Sequence, residues 1–309
     1  MVDQNQIIEL IKTGLPIVAT SPVLAKLIDV VGDVIKTLYL PTLTLKKGKA
    51  EVDVEIYRQK QQGELLDQQT FTLYEVAKLK NFVKTASFAS EYLENIEVVS
   101  DNPVDFDWIM RFFDAIGSIS NEELQKLWSK VLCGEIINPG NISLRTLDAI
   151  RNVSQKEAEI FNELCQLILI SGDCYFINSN GFYQHNDSNQ RSKKIIAEKG
   201  YVYSTHIIPL IEAGLLSIDN SLATDFSTDK TLLMYNKDTI VFIIAQNENA
   251  PAISIDAYFL TSCGIELFNV ISSNDDFAPN NKYVNACFEE FKEEYPDLVV
   301  VIQDKEGLD

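Results

Sequence analysis

The residues that could do chemistry in this chain are few and far apart. Only two histidines occur, His185 and His206, so a multi-histidine metal centre is excluded and a histidine-activated nucleophile has two candidate bases. Cys174, His185 and Asp187 fall within CYFINSNGFYQHND and supply the residue types of a thiol, base and acid triad; Cys174 reads equally well as a small buried residue of a strand. Asp105 and Asp107 form a D-x-D that would suit a cation or phosphate. No further carboxylate cluster stands near them, and Asp105 suits a helix N-cap. Glu135 lies three and four residues beyond Leu132 and Val131, on the apolar side of its helix, where a carboxylate needs a partner. Arg145, just past Pro139-Gly140, is the natural candidate. A buried Glu135–Arg145 ion pair locking two helices is the expected role, with a catalytic acid as the alternative. P-loop, G-x-G-x-x-G, H-E-x-x-H and G-x-S-x-G motifs are lacking, and no cofactor and no metal are expected.

At 309 residues, 46% hydrophobic and 23% charged, the chain has the composition of a soluble globular protein with two cores. A net charge of −19 repels nucleic-acid backbones at long range, so nucleic acid is a disfavoured partner. The five cysteines are odd in number and contain no C-x-x-C, which indicates neither a disulfide framework nor a zinc ribbon. The N-terminal MVDQNQIIELIK carries acids where a signal peptide carries bases. The early uncharged run TGLPIVATSPVLA is too short to span a bilayer. A cytoplasmic setting is expected.

The elements that must position these residues are mainly helical in the first half. Ser21 and Pro22 open a helix that runs to Pro41, with Lys26, Asp29, Asp33 and Lys36 as one narrow polar stripe. Its own domain can cover the remaining surface. Otherwise Val23, Leu27, Val30, Val31, Val34 and Leu38 form an interaction surface for self-association or another protein, with peripheral membrane contact the weakest reading. Residues 44–66 are expected to form a projecting charged helix, although Val52, Val54 and Ile56 alternate like a strand. A helix from Thr72 to about Ile96 puts Leu73, Val76, Leu79 and Val83 on one face and Lys78, Lys80 and Lys84 beside it, a solvated charged face. DFDWIMRFFDAIG and the following helix form an αα-hairpin, punctuated by Gly117 and a Ser120–Glu123 capping box; Pro139-Gly140, Ser143 and a Ser154–Glu157 box mark two more helices.

After Gly172 the texture turns to strand: a hairpin around Asn178 to Gly181, then TLLMYN, TIVFIIAQ, AISIDAYFL and DLVVVIQ, with helices between them. The predicted fold class is α+β: a helical N-terminal half, a helix bundle with αα-hairpins, followed by a smaller α+β domain with an antiparallel sheet. The expected domains are 1–98, 99–170 and 171–309. STHIIPLIEAGLLS followed by strands suggests a winged helix, but no Lys, Arg, Asn or Gln lies between Tyr201 and Asp219 to read DNA, so a protein-interaction role fits such a module better.

SPVLAKLIDVVGDVIKTLYLPT with KAEVDVE, DWIMRFFDAIGSISNEELQKLWSKVLCGEIINPGNISLRTLDAI and FLTSCGIEL together resemble a bacterial family known as domain of unknown function 2806. The E-L-x-x-L-W helix after an apolar N-terminal segment is also loosely similar to abortive-infection proteins of the alpha type. The first resemblance implies no established chemistry. The second implies a phage-defence or stress-response component that works through self-association or protein partners rather than catalysis. A winged-helix DNA-binding regulator and an enzyme with an unrecognised site are the alternatives.

Overall fold

A computed structural model describes residues 2–15, 19–39, 43–47, 52–56, 70–179, 182, 190–217, 220–224, 231–245, 252–273 and 276–304. The chain forms two compact units, Met1–Arg151 and Asn152–Asp309, and its class is mixed α+β.

Unit 1 contains β1 (Val2–Asp3), α1 (Gln4–Gly14), α2 (Pro22–Leu38), β2 (Leu43–Lys47), β3 (Val52–Ile56), β4 (Thr70–Phe71), α3 (Leu73–Leu93), α4 (Phe106–Ile116), α5 (Glu122–Ile137) and α6 (Leu144–Arg151). Helix α2 starts as its sequence predicts: Ser21 Oγ accepts from Leu24 N at 3.3 Å and Pro22 occupies the first turn, where its missing N–H costs nothing. Its apolar surface is then spent inside the unit. Val23, Leu24, Leu27, Ile28, Val31, Val34 and Ile35 are all buried, with α3, α4 and α5 packed against the helix.

The charged segment after α2 departs from expectation. Where it is described it is an antiparallel pair, β2 with β3, in the register Leu43↔Ile56 and Leu45↔Val54, and not a helix; residues 48–51 and 57–66 lie outside the described residues. The Val-x-Val-x-Ile alternation with β-branched side chains outweighs the partial helical spacing.

Helix α3 opens on a capping box. Thr72 Oγ1 accepts from Glu75 N at 3.2 Å, and Glu75 Oε2 accepts from Thr72 N at 2.7 Å. Its buried face is Leu79, Phe82, Val83, Ala86, Ala89 and Leu93, so Leu73, expected inside, lies outside it. Helices α4 and α5 both form, with Asp105 Oδ1 accepting from Trp108 N at 2.9 Å, but they are not paired along their lengths as a hairpin: α4 packs against α6 and α5 against α3. The cap of α5 is Asn121, not Ser120: Asn121 Oδ1 accepts from Leu124 N at 3.0 Å. Asn and Ser cap about equally well, and starting one residue later keeps Glu122 and Glu123 both in the first turn, where carboxylates favour the helix dipole.

These helices close on an aromatic core. Trp108 stacks on Phe112 at 5.4 Å, Phe112 meets Trp128 edge-on at 5.5 Å, and Phe82 meets Phe113 at 5.2 Å. Trp108 Nε1 donates to Ile142 O at 2.8 Å, which satisfies the one polar atom of the buried indole. A division at residue 98 would therefore cut through one core, since α3 packs along α5.

Unit 2 begins one helix earlier than the expected boundary at 170. It comprises α7 (Gln155–Cys165), β5 (Leu169–Ser171), β6 (Cys174–Asn178), α8 (Arg191–Glu198), a π-helical turn at Tyr203–Ile207, α9 (Ile208–Glu212), β7 (Asn220–Thr224), β8 (Thr231–Tyr235), β9 (Thr239–Ala245), β10 (Ile253–Phe259), α10 (Ser262–Ser272), α11 (Asn281–Glu294) and β11 (Leu298–Asp304). The Ser154–Glu157 box caps α7 as expected. Seven strands make one antiparallel sheet in the order β11-β9-β8-β5-β6-β10-β7. In β9 buried and half-buried residues alternate without a break, the period-two signature of a pleated strand.

The predicted hairpin around Asn178 to Gly181 is displaced. CYFIN is β6, but it pairs with β5 across Gly172 and with β10 on its other side; Gly172 has φ +55°, which a glycine adopts freely. Helix α10 is pinned to the chain after α9. Thr261 Oγ1 donates to Gly214 O at 2.6 Å and accepts from Gly264 N at 3.1 Å. At Gly264 a Cβ would sit 2.2 Å from Leu215 O, so only glycine fits this approach.

Candidate functional site

Glu135 is the charged side chain most deeply placed in unit 1, 1% exposed. Its two carboxylate oxygens are taken by the turn that follows its own helix: Gly140 N donates to Oε1 at 2.7 Å and Ile142 N to Oε2 at 3.2 Å. The Pro139-Gly140 turn makes this reachable. Gly140 has φ +93° and Asn141 N donates to Asn138 O at 3.2 Å, which fits the type II turn that Pro-Gly predicts.

The expected partner is therefore corrected. Arg145 is exposed on α6, and no Glu135–Arg145 salt bridge is present among the described residues. Backbone donors folded back by the turn reach the carboxylate without the rotamer entropy an arginine would lose. The nearby cation is instead Lys26 of α2. Its Nζ donates to Ser100 O at 2.9 Å; burial pushes its pKa down, against the charges of Asp101 and Glu135, which hold it up. With both oxygens engaged, Glu135 fastens the α5–α6 turn rather than presenting a proton to a substrate.

The expected interaction surface is likewise corrected: Val23, Leu27, Val31 and Val34 are fully buried and Val30 half-buried. Of the six, Leu38 alone is exposed, at 36%. The lysine face of α3 is laced to its neighbours, Lys78 to Asp114 at 2.7 Å and Lys84 to Glu122 at 2.8 Å. Asp105 acts as a helix cap, and no cluster of three or more metal-ligating side chains occurs among the described residues.

In unit 2, His206 sits in the π-helical turn, a geometry often found at functional positions. Its Nδ1 lies 3.0 Å from Val202 N and 2.9 Å from Thr205 Oγ1. The same Nδ1 also lies 3.3 Å from Val202 O, so the ring is held against both polar groups of the Val202 backbone. Tyr201 packs at 5.3 Å from that ring. Its phenol, bonded to Glu163, is pushed up to about 12 by burial first and by the Glu163 charge second. Nothing in the spacing of Glu163, Tyr201 and His206 announced this grouping, since a strand pair and helix α8 separate the first from the others.

Cys174 stands at the start of β6, while His185 and Asp187 lie outside the described residues. Cys133, Cys165 and Cys287 are buried, and that burial raises their thiols, Cys287 to about 12; such thiols are poor nucleophiles. The segment read as a possible reading helix is the π turn plus the five-residue α9, beside a seven-stranded sheet.

A second buried knot joins α8 to α11. Glu290 accepts from Ser192 N at 2.8 Å and from Ser192 Oγ at 2.6 Å, so a carboxylate from one helix caps the start of another. Tyr283 OH donates to Asn178 O at 3.1 Å, tying the same α11 to the end of β6.

The family model for Protein of unknown function (DUF2806) matches residues 67–287. The chain belongs to this family. The match takes in α3 to α6 of unit 1 and unit 2 as far as α11, including FLTSCGIEL, whereas the N-terminal SPVLAKLIDVVGDVIKTLYLPT and KAEVDVE lie outside it. No curated protein and no solved structure matches the chain. No described helix is long and apolar enough to cross a membrane.

Proposed function

We propose that this protein acts by protein contact rather than catalysis, binding a second copy of itself through the end of unit 1 where α2 stops and α3 begins. The observation that carries this is a set of exposed apolar side chains at these helix ends: Leu73 is 74% exposed, Tyr74 66% and Leu38 36%. Tyr39 gathers them, because its hydroxyl donates to Glu75 O at 2.9 Å and its ring packs on Phe71 at 5.4 Å. Covering each such side chain is worth about 1.5–3 kcal/mol, and contiguous exposed apolar groups mark contact sites.

A second copy is the occupant because the charges here come in both signs. Lys78 and Asp114 lie beside the patch, so a two-fold arrangement sets each opposite the other's counterpart. Removing residues 1–42 would be a poor test, since α2 is part of the core. Sedimentation of the full chain against Leu73→Asp with Tyr74→Asp is better: the unaltered chain is expected to be a dimer at micromolar concentration, and the double variant a monomer with unchanged melting temperature. A full chain that is monomeric throughout would sink self-association. The cellular setting suggested by the abortive-infection resemblance is phage defence or a stress response in the bacterial cytoplasm. Equal plating of phage on cells with and without the gene would remove defence.

A further inference from the structure

We propose that the outer edge of β11 is a strand-addition site for an extended polypeptide whose β-branched residues are flanked by lysines or arginines. Strand β11 stands at the end of the sheet order and, among the described residues, pairs on one side, with β9. Its register is unbroken from Leu298↔Ala245 to Asp304↔Thr239, so no bulge turns the edge away. The sequence LVVVIQD contains no proline and no lysine. Edge strands in stable proteins are normally blunted by such devices, and an edge without them offers a full row of backbone donors and acceptors to an incoming strand. The opposite edge, β7, is shorter, at five residues.

Charge selects the occupant. Asp297 stands just before the strand, and Asn152–Asp309 carries 24 acidic against 10 basic residues. A second copy would bring two strongly acidic units together, and like charges disfavour that association. A segment flanked by basic residues meets Asp297 at the start of the strand, in a unit whose net charge is acidic. Arg191 of α8 and Lys292 of α11 are already paired with Glu293 and Glu289.

The test uses the full chain and a labelled peptide, Lys-Lys-Val-Thr-Val-Thr-Val-Lys-Lys, followed by anisotropy and by amide exchange of residues 297–304. Saturable binding is expected, with β11 amides protected on addition of peptide. Asp297→Lys should weaken it about tenfold, as removal of an attractive charge contact does. A peptide N-methylated at alternate residues should not bind, because the ladder hydrogen bonds are then missing. Absence of binding, or equal binding of the N-methylated peptide, overturns the proposal. So does a dimer that dissociates with Val301→Lys and persists with Tyr74→Asp, since that would assign the edge to a second copy. A monomeric chain that still binds the peptide leaves this site standing and removes only the dimer of unit 1.

Discussion

Unit 1 and unit 2 manage charge in opposite ways. Met1–Arg151 carries 16 basic and 21 acidic residues and Asn152–Asp309 carries 10 and 24. In unit 1 the charges fasten helices to one another: Glu135 holds the turn into α6, Lys26 holds the strand of chain at Ser100, and Lys78 and Lys84 reach across to α4 and α5. In unit 2 the sheet is built from backbone pairing and alternation. The helical unit therefore depends on a few polar fasteners, whereas the sheet unit depends on close backbone approach.

The comparison can be broken most directly at Glu135. Glu135→Ala leaves the Gly140 and Ile142 N–H groups without their acceptor inside unit 1, which should cost about 2–6 kcal/mol at about 1–3 per orphaned group. Urea unfolding followed by tryptophan fluorescence reads it, because Trp108 and Trp128 are both in this unit. Arg145→Ala should leave the midpoint within about 0.5 kcal/mol, the range of ordinary surface substitutions; a large loss there would restore the ion pair expected from the sequence.

The matching weak point of unit 2 is a backbone approach. Gly264→Ala forces a Cβ onto Leu215 O, and overpacking of this kind costs about 1–3 kcal/mol. Circular dichroism melting should show the loss. An unchanged melt would mean that α10 shifts freely and that close approach does not organise the sheet unit.

Caps should matter less. Thr72→Ala should cost about 1 kcal/mol. The hydrogen bonds from the Thr72 backbone, then its side chain, hold the Glu75 carboxyl below its usual range. A lowered folded pKa gives stability that is present above the unfolded value, about 4.3, and is lost as pH falls through the folded value. The variant should therefore be less sensitive to acid between pH 5 and pH 3 than the parent, to judge from paired melts over about that range.

The smallest effect lies at Tyr201. Its phenol should titrate near 12 by ultraviolet absorbance and move down in Glu163→Gln, which removes the second cause of the shift. A raised folded pKa means stability present below the unfolded value, about 10, and lost as pH rises towards 12. A titration at the ordinary tyrosine value would show that Tyr201 is wet and that the grouping with His206 is loose.

Much of the local punctuation was legible from single residues. Ser21 with Pro22, Asp105, Pro139-Gly140 and the Ser154–Glu157 box each act within four residues of themselves, and each formed where the sequence put it. The α5 cap slipped by one residue because Ser120 and Asn121 are nearly equal in capping energy. The wrong helix at 44–66 came from trusting spacing over β-branching in a segment that carries both signals. Glu135 was correctly placed on a buried face, yet its partner was chosen by formal charge, and a polar backbone two turns of chain away competed better.

By itself the sequence determined the helical first half, the α+β second half, the alternating strands and most helix starts, because propensity, period and capping are short-range. Only the tertiary structure decided what covers the apolar face of α2, which strands neighbour one another, that Leu73 and Tyr74 remain outside while Val23 to Ile35 are enclosed, and that β11 ends the sheet. Those outcomes depend on which surfaces meet across many tens of residues, and the burial free energy that selects them is non-directional, so no local pattern records it.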